Sequence, residues 1–290
     1  MLELIIGKDW TANTDEVLSR IGQDVKNRRG GRVLLVPELV SHDMERRLCV
    51  AAGDTASRYA EVLTFTRLAR RVAEDRGCSL PECLDNGGRV VAMAAAVRQT
   101  HSRLKSYASV LTRPEFLTGL IDAVDEFKRC CISSRDLSEA ARKSEGSFAQ
   151  KLEELSLILE CYDGVCRQGK ADPRDQMTWL LEELENSSFA KEHVFYIDGF
   201  PDFTRQHLAI LEHLICNSSM VTVGLNCDRL NSNALAFEKA ADTASQLLQC
   251  AKRAGVETQI ETIAGWDDPL LSLCEGLFQG ELPEGDDLNG

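Results

Sequence analysis

The chain has 290 residues, 43% hydrophobic and 27% charged, with a formal net charge of −13, which is enough for one large core or two smaller ones and excludes a disordered chain. No uninterrupted apolar run approaches the roughly 20 residues of a membrane span, and the apolar opening run Leu2–Ile6 has neither a basic stretch ahead of it nor a small-residue cleavage site behind it, so a soluble, cytoplasmic protein is expected. Eleven scattered cysteines then read as reduced thiols; Cys78/Cys83 and Cys161/Cys166 share a spacing but lack a CxxC or histidine partner, and no metal is expected.

In chain order, Leu2–Ile6, Val33–Val36, Val62–Phe65, Val194–Ile197 and Met220–Leu225 are continuous apolar runs bounded by turn or helix-start signals, the pattern of buried parallel strands. Helices fit between them. Asn13 with Glu16 spells a capping box for a first helix buried through Val17, Leu18 and Ile21, and Thr204 suits the cap of a later one buried through Leu208, Leu211, Leu214 and Ile215. From about Asp85 to Ser188 the period changes to 3.6. Phe116, Leu120, Ile121, Val124 and Phe127 share one helix face, as do Phe148, Leu152, Leu155, Ile158, Leu159 and Tyr162; Asp172-Pro173 then starts a helix carrying Met177, Leu180, Leu181 and Leu184. The expectation is an α/β fold with a mostly parallel sheet, residues 1–84 and 189–290, interrupted by an all-helical subdomain at 85–188. Charge is uneven: residues 1–110 hold 17 Lys+Arg against 14 Asp+Glu, and the remainder 16 against 32, so the overall charge argues against a generic nucleic-acid binder and any nucleic-acid contact is to be sought in the first third.

In such a sheet the turn after the first strand is where phosphate binds. Laid on the Walker A pattern, Gly7-Lys8-Asp9-Trp10-Thr11-Ala12-Asn13-Thr14 matches only at Gly7 and Thr14. Trp10 and Ala12 replace glycines, Asn13 replaces the lysine, and Asp9 adds a negative charge. At the end of the fourth strand Asp198 stands where a P-loop ATPase carries its magnesium aspartate, but Gly199 takes the place of the water-activating glutamate. These losses argue against a working ATPase, and no nucleophilic constellation replaces it. Gly7, Asn13, Thr14 and Asp198 are thus read as a degenerate nucleotide site, with ATP not expected.

Four strings in order resemble the AddB/RexB family of helicase–nuclease subunits. Leu34-Leu35-Val36-Pro37-Glu38 is similar to the family's "LLVPEQ", and Val62–Ala69 to "VLSFSRLA". Asp125-Glu126-Phe127-Lys128 resembles the insert's "IDEFK", and Tyr196–Thr204 resembles "IDGFTGFTPQ". The resemblance implies a P-loop-like, superfamily 1 helicase-like sheet domain with an inactive motor, working beside an AddA motor subunit in double-strand break processing and recombination. It also implies that the iron–sulfur cluster and magnesium belong to a C-terminal nuclease part that this chain does not reach, so no cofactor is expected in the present segment.

By the same resemblance the strand ends hold single-stranded DNA and scan it for a hotspot sequence. Phe65 and Arg67 match the family's "SFSR": a planar ring stacks on bases, and a guanidinium forks onto a base edge or phosphate. Arg70 stands where relatives are often aromatic, Leu39 where they have Gln, and Ser41 where they often have Thr. Loss of the amide at Leu39 implies a different sequence read, or none. Phe200 and Phe203 are further stacking candidates. Core packing is the alternative for each Phe, and two other functions stay open: an active ATPase motor, and an architectural module that only docks the motor subunit.

Overall fold

The computed structural model describes residues 1–111, 113–227, 230 and 237–263. In chain order the elements are β1 (Leu2–Gly7), α1 (Trp10–Lys26), β2 (Arg32–Leu35), α2 (Ser41–Ala52), β3 (Ala60–Leu63), α3 (Phe65–Arg76), α4 (Asn86–Thr100), α5 (Pro114–Arg129), α6 (Ser134–Arg142), α7 (Gly146–Arg167), α8 (Gln176–Glu185), α9 (Phe189–Glu192), β4 (Val194–Ile197), α10 (Arg205–Asn217), β5 (Val221–Asn226), α11 (Glu238–Ala254) and β6 (Thr258–Thr262). The six strands form one sheet in the order β3-β2-β4-β5-β1-β6, every pairing parallel. Parallel pairing demands a crossover between strands, and helices supply it. Among the described residues no helix is long and apolar enough to cross a membrane.

The chain divides into two compact units: Met1–Leu68, Leu184–Phe203 and the described residues from Ile210 on make the first, and Ala69–Glu183 with Thr204–Ala209 the second. In the first, β1 is buried at every position, and the second to fourth residues of β2 and β4 are buried too. Ile5, Leu34, Val36, Val62 and Tyr196 from the strands meet Val17, Leu18, Ile21, Met44 and Leu48 from α1 and α2 in one core cluster. β1 begins, ends and buries what its apolar run foretells. The β3 run is read one turn too far, because Phe65 opens α3 behind a Thr64 cap: Arg67 N–H donates to the Thr64 hydroxyl at 3.2 Å.

Two expectations fail in this unit. α1 starts at Trp10, three residues before the expected Asn13 cap; Asp9 is the cap, accepting from the backbone N–H of Thr11 at 2.8 Å and of Ala12 at 3.3 Å. An ionised carboxylate two positions before those donors satisfies them more strongly than an amide. β6 carries no apolar run and is absent from the expected strands. Its TQIET sequence is mostly exposed, and it is held as an edge by its ladder to β1 and by Arg20 of α1, which pairs with Glu3, with Glu16 at 2.7 Å and with Glu261 at 2.5 Å.

The second unit is helical. Leu120 and Val124 of α5, Ile158, Leu159 and Tyr162 of α7, and Met93, Ala96 and Val97 of α4 share a core. Phe148 is a correction: it is 61% exposed and stands off the face it was assigned to. Asp172 caps a 3-10 turn that leads into α8, as its Asp-Pro pair implies, and it is also wholly buried, accepting from the Tyr162 hydroxyl at 2.5 Å and from Arg89 at 3.2 Å. Glu154 of α7 is likewise buried and accepts from the backbone N–H groups of Lys105, Ser106 and Tyr107 at 3.0, 2.9 and 3.3 Å. A carboxylate thereby fixes a loop that has no regular structure of its own.

Candidate nucleic-acid interface at the strand ends

The turn between β1 and α1 is two residues long and is tied from within by Asp9 and by the Asn13 amide nitrogen, while the buried Asn13 Oδ1 has no hydrogen-bond partner among the described residues. Asp9 occupies the helix N-terminus where an anion would sit. Asn13, in the first turns of α1, points back and donates its Nδ2 to Gly7 O at 3.1 Å and Leu225 O at 3.0 Å. A side chain at Gly7 would collide with that carboxamide, so Gly7 is a space requirement of Asn13. Thr14 Oγ1 lies 2.9 Å from Trp10 O and 2.6 Å from Asp198 Oδ2. A hydroxyl has one hydrogen, so both contacts are bonds only when Asp198 supplies a proton. Asp198 is 4% exposed, and burial pushes its carboxyl up to about 6 against the Thr14 hydroxyl, the Gly199 N–H and the more distant Arg47, which favour the ionised form. Gly224 of β5 makes room for it: a Cβ there would lie 2.5 Å from Asp198 Oδ1. The four residues read as a degenerate nucleotide site are therefore brought together, by hydrogen bonds to one another and to Leu225 O of β5.

Three neighbouring strands, β3, β2 and β4, end beside one another, and the remaining candidates follow them. After β2, Leu39 is 99% exposed and Val40 37% exposed. Ser41 is buried and donates its hydroxyl to Glu38 O at 3.0 Å, so it holds the entry to α2. After β3, Phe65 is 5% exposed and meets Phe200 edge-on with ring centroids 5.6 Å apart; the core alternative holds for it. After β4, Phe200 and Phe203 are half-buried, with centroids 4.9 Å apart. Gly199, at φ +79, makes the turn that sends Phe200 back over the sheet edge. Arg67 is ion-paired with Glu45 at 2.5 Å, while Arg70, further along α3, is exposed. Sequence reasoning missed Trp10, 60% exposed at the end of β1, and Glu38, whose Oε1 accepts from the Thr64 hydroxyl at 2.6 Å and ties the ends of β2 and β3.

The fold and site define a parallel α/β domain with its candidate surface at the carboxyl ends of the strands, the edge at which such sheets bind ligands. The chain belongs to the AddB N-terminal family, whose model, described as "ADDB, N-terminal", matches residues 4–269. It is similar to proteins named as the B subunit of an ATP-dependent helicase/deoxyribonuclease: 30% identical over 230 residues to that of Thermoanaerobacter sp., covering 78% of this chain and 20% of the relative, and 28% identical over 269 residues to that of Desulforudis audaxviator, covering 89% and 23%. A Clostridium kluyveri relative is 28% identical over 216 residues, covering 74% and 19%. The chain thus spans about a fifth of the length of the curated relatives it matches.

Proposed function

We propose that this chain is the non-catalytic N-terminal part of a helicase–deoxyribonuclease subunit, and that it holds single-stranded DNA at the β2, β3 and β4 strand ends while scaffolding an AddA-type motor subunit in break processing and recombination. The observation that carries the reading is the strand-end edge itself, where an exposed Leu39 follows β2 and the half-buried pair Phe200 and Phe203 follows the neighbouring β4. Apolar and aromatic groups at a sheet edge suit unstacked bases, because every base has a face to stack.

The fold reading within this proposal is a P-loop-like, superfamily 1 helicase-like domain. It is supported by the meeting of Thr14 and Asp198 across β5, since P-loop ATPases bring a hydroxyl after the first strand together with an aspartate at a later strand end. The motor reading fares worse. Residues present at the first turn do not fit a nucleotide, because Asp9 already takes the N–H groups and Asn13 fills the loop.

The test is fluorescence anisotropy of a labelled single-stranded oligonucleotide with the parent chain and with Leu39→Ala/Phe203→Ala. Loss of a stacking group costs about 1–3 kcal/mol, so binding should weaken by roughly tenfold or more with the circular dichroism unchanged. Equal affinity for parent and variant overturns the assignment. If that variant instead loses only its hold on the motor subunit, the edge is a protein-docking surface. Magnesium-dependent ATP turnover by the chain would restore the motor reading.

A further inference from the structure

Nucleic acid is held chiefly by neutralising phosphates, which needs cations free to exchange their counterions. The strand-end edge is poor in them. Arg46 pairs with Asp43 at 2.7 Å, Arg47 with Asp15 at 2.8 Å, Arg67 with Glu45 at 2.5 Å and Lys239 with Asp202 at 3.3 Å. Arg70 of α3 and Arg205 at the start of α10, both in the second unit, make no ion pair among the described residues.

The opposite edge of the same sheet differs. Arg32, Ala60 and Val194 stand in register at the amino ends of β2, β3 and β4. The loops that lead into them are stitched together: Arg32 N–H donates to Tyr59 O at 3.0 Å, and Val194 N–H to Gly31 O at 2.9 Å. The segments leading into the strands carry Lys26 at the end of α1 with Arg28 and Arg29 after it ahead of β2, Arg58 in a 3-10 turn ahead of β3 and Lys191 in α9 ahead of β4, all exposed. Arg29 and Arg32 are engaged by Asp24, at 3.3 and 2.8 Å. Lys26, Arg28, Arg58 and Lys191 make no ion pair among the described residues. The acidic groups nearby are that same Asp24, with Asp54, Glu61 and Glu192, so the edge is net positive in a chain of −13. Lys26, Arg58 and Lys191 also stand in the last turns of α1, of a 3-10 turn and of α9, where a cation favours the helix C-terminus, and the sheet gathers these three helix ends at one edge.

We infer that the amino edge of β2, β3 and β4 is a second nucleic-acid contact, one that binds the phosphate backbone through Lys26, Arg28, Arg58 and Lys191 without reading bases. The choice of nucleic acid over an acidic protein rests on the function proposed for the strand ends; the site itself is a separate surface.

The probe that separates the two surfaces is an abasic oligodeoxynucleotide, which offers phosphates and nothing to stack. Binding of the labelled abasic strand is measured by anisotropy across a salt series for the parent chain, for Lys26→Gln/Arg28→Asn/Arg58→Gln/Lys191→Gln, and for the control Lys143→Gln/Lys151→Gln. Asparagine is chosen at Arg28 because that residue has φ +56, which Asn tolerates. The expected result is that the parent binds with a salt slope of about 0.7 per phosphate contact, that the fourfold variant loses most of the slope and binds at least tenfold more weakly at low salt, and that the control changes neither. An abasic strand that binds parent and fourfold variant alike, or that fails to bind the parent at low salt, overturns the inference. If an ordinary strand binds no tighter than the abasic one, the base-reading proposal fails while this one stands.

Discussion

Replacing Asp198 with asparagine isolates the buried acid at the end of β4. Its carboxyl titrates at about 6 in the folded chain against an ordinary 3.8, with burial as the main cause. Below the ordinary value both folded and unfolded chains hold the proton, and the stability is fully present. As the pH rises, the unfolded chain ionises first, and the fold loses stability until the folded carboxyl has titrated too. The gap corresponds to about 3 kcal/mol, and the group is too buried for solvent to screen it. Asparagine has no proton to lose. The difference in unfolding free energy, Asp198→Asn minus parent, should therefore rise by about 2.5 kcal/mol between pH 4 and pH 8, the rest of the change falling below pH 4, on top of a pH-independent offset for the changed hydrogen bonds to Thr14. Urea unfolding of both proteins in matched buffers measures this difference, and every other titrating group cancels from it. A difference that stays flat over that range would refute both the burial argument and the proton assigned to the Thr14 contact.

Phe65→Ala should behave as a core truncation, costing about 3–5 kcal/mol in urea unfolding, whereas Leu39→Ala should leave the unfolding midpoint unmoved; similar effects of the two would mean that Phe65 is not a packing residue. Glu154→Gln should cost about 1–3 kcal/mol near neutral pH, since a neutral amide holds the 105–107 backbone less strongly. Burial pushes the Glu154 carboxyl up, but the N–H groups of Ser106, Lys105 and Tyr107 outweigh it and hold it below the ordinary range. Its contribution is thus present above the ordinary glutamate value and lost as the pH falls through the folded one, so parent and variant should converge in acid. A gap that persists at pH 3 would contradict the clamp.

The parts of the fold that were legible share one cause. β1, β2, β4 and β5 lie inside a parallel sheet covered on both faces, and burial on both faces leaves continuous apolar runs that no surface element mimics. β6 was illegible because an edge strand in this sheet is held by backbone pairing and by Arg20, whose partners Glu3 and Glu261 come from opposite ends of the described chain; nothing local in Thr258–Thr262 signals it. The start of α1 was misplaced because Asp9 and Asn13 are both good caps by type, and the sequence does not reveal which of two competing side chains has a better use elsewhere. Asn13 does, across β5 at Leu225 O. At the strand ends, whether a given side chain faces out is set by tertiary neighbours that the sequence does not show: Phe65 turns in against Phe200, Ser41 turns in to Glu38, and Leu39 is left without cover.

The closed turn and the buried acid beside it pull in opposite directions energetically. Asp9 and the Asn13 amide nitrogen tie the β1 turn together, with Leu225 O of β5 as a further acceptor. Asp198, by contrast, is charged at neutral pH only at a cost that asparagine at the same position would avoid. A residue kept solely to satisfy the Thr14 hydroxyl would not need to ionise, since an amide can donate that bond. On the P-loop-like reading proposed above, the gap at Gly224 accommodates an acid where the loop opposite is filled by Asn13. On this view a variant that relieves Asp198 of its charge should leave oligonucleotide binding at Leu39 and Phe203 intact while gaining stability relative to the parent as the pH climbs from about 4 to about 6. Loss of DNA binding in Asp198→Asn with the fold preserved would instead place the carboxylate in the recognition surface itself.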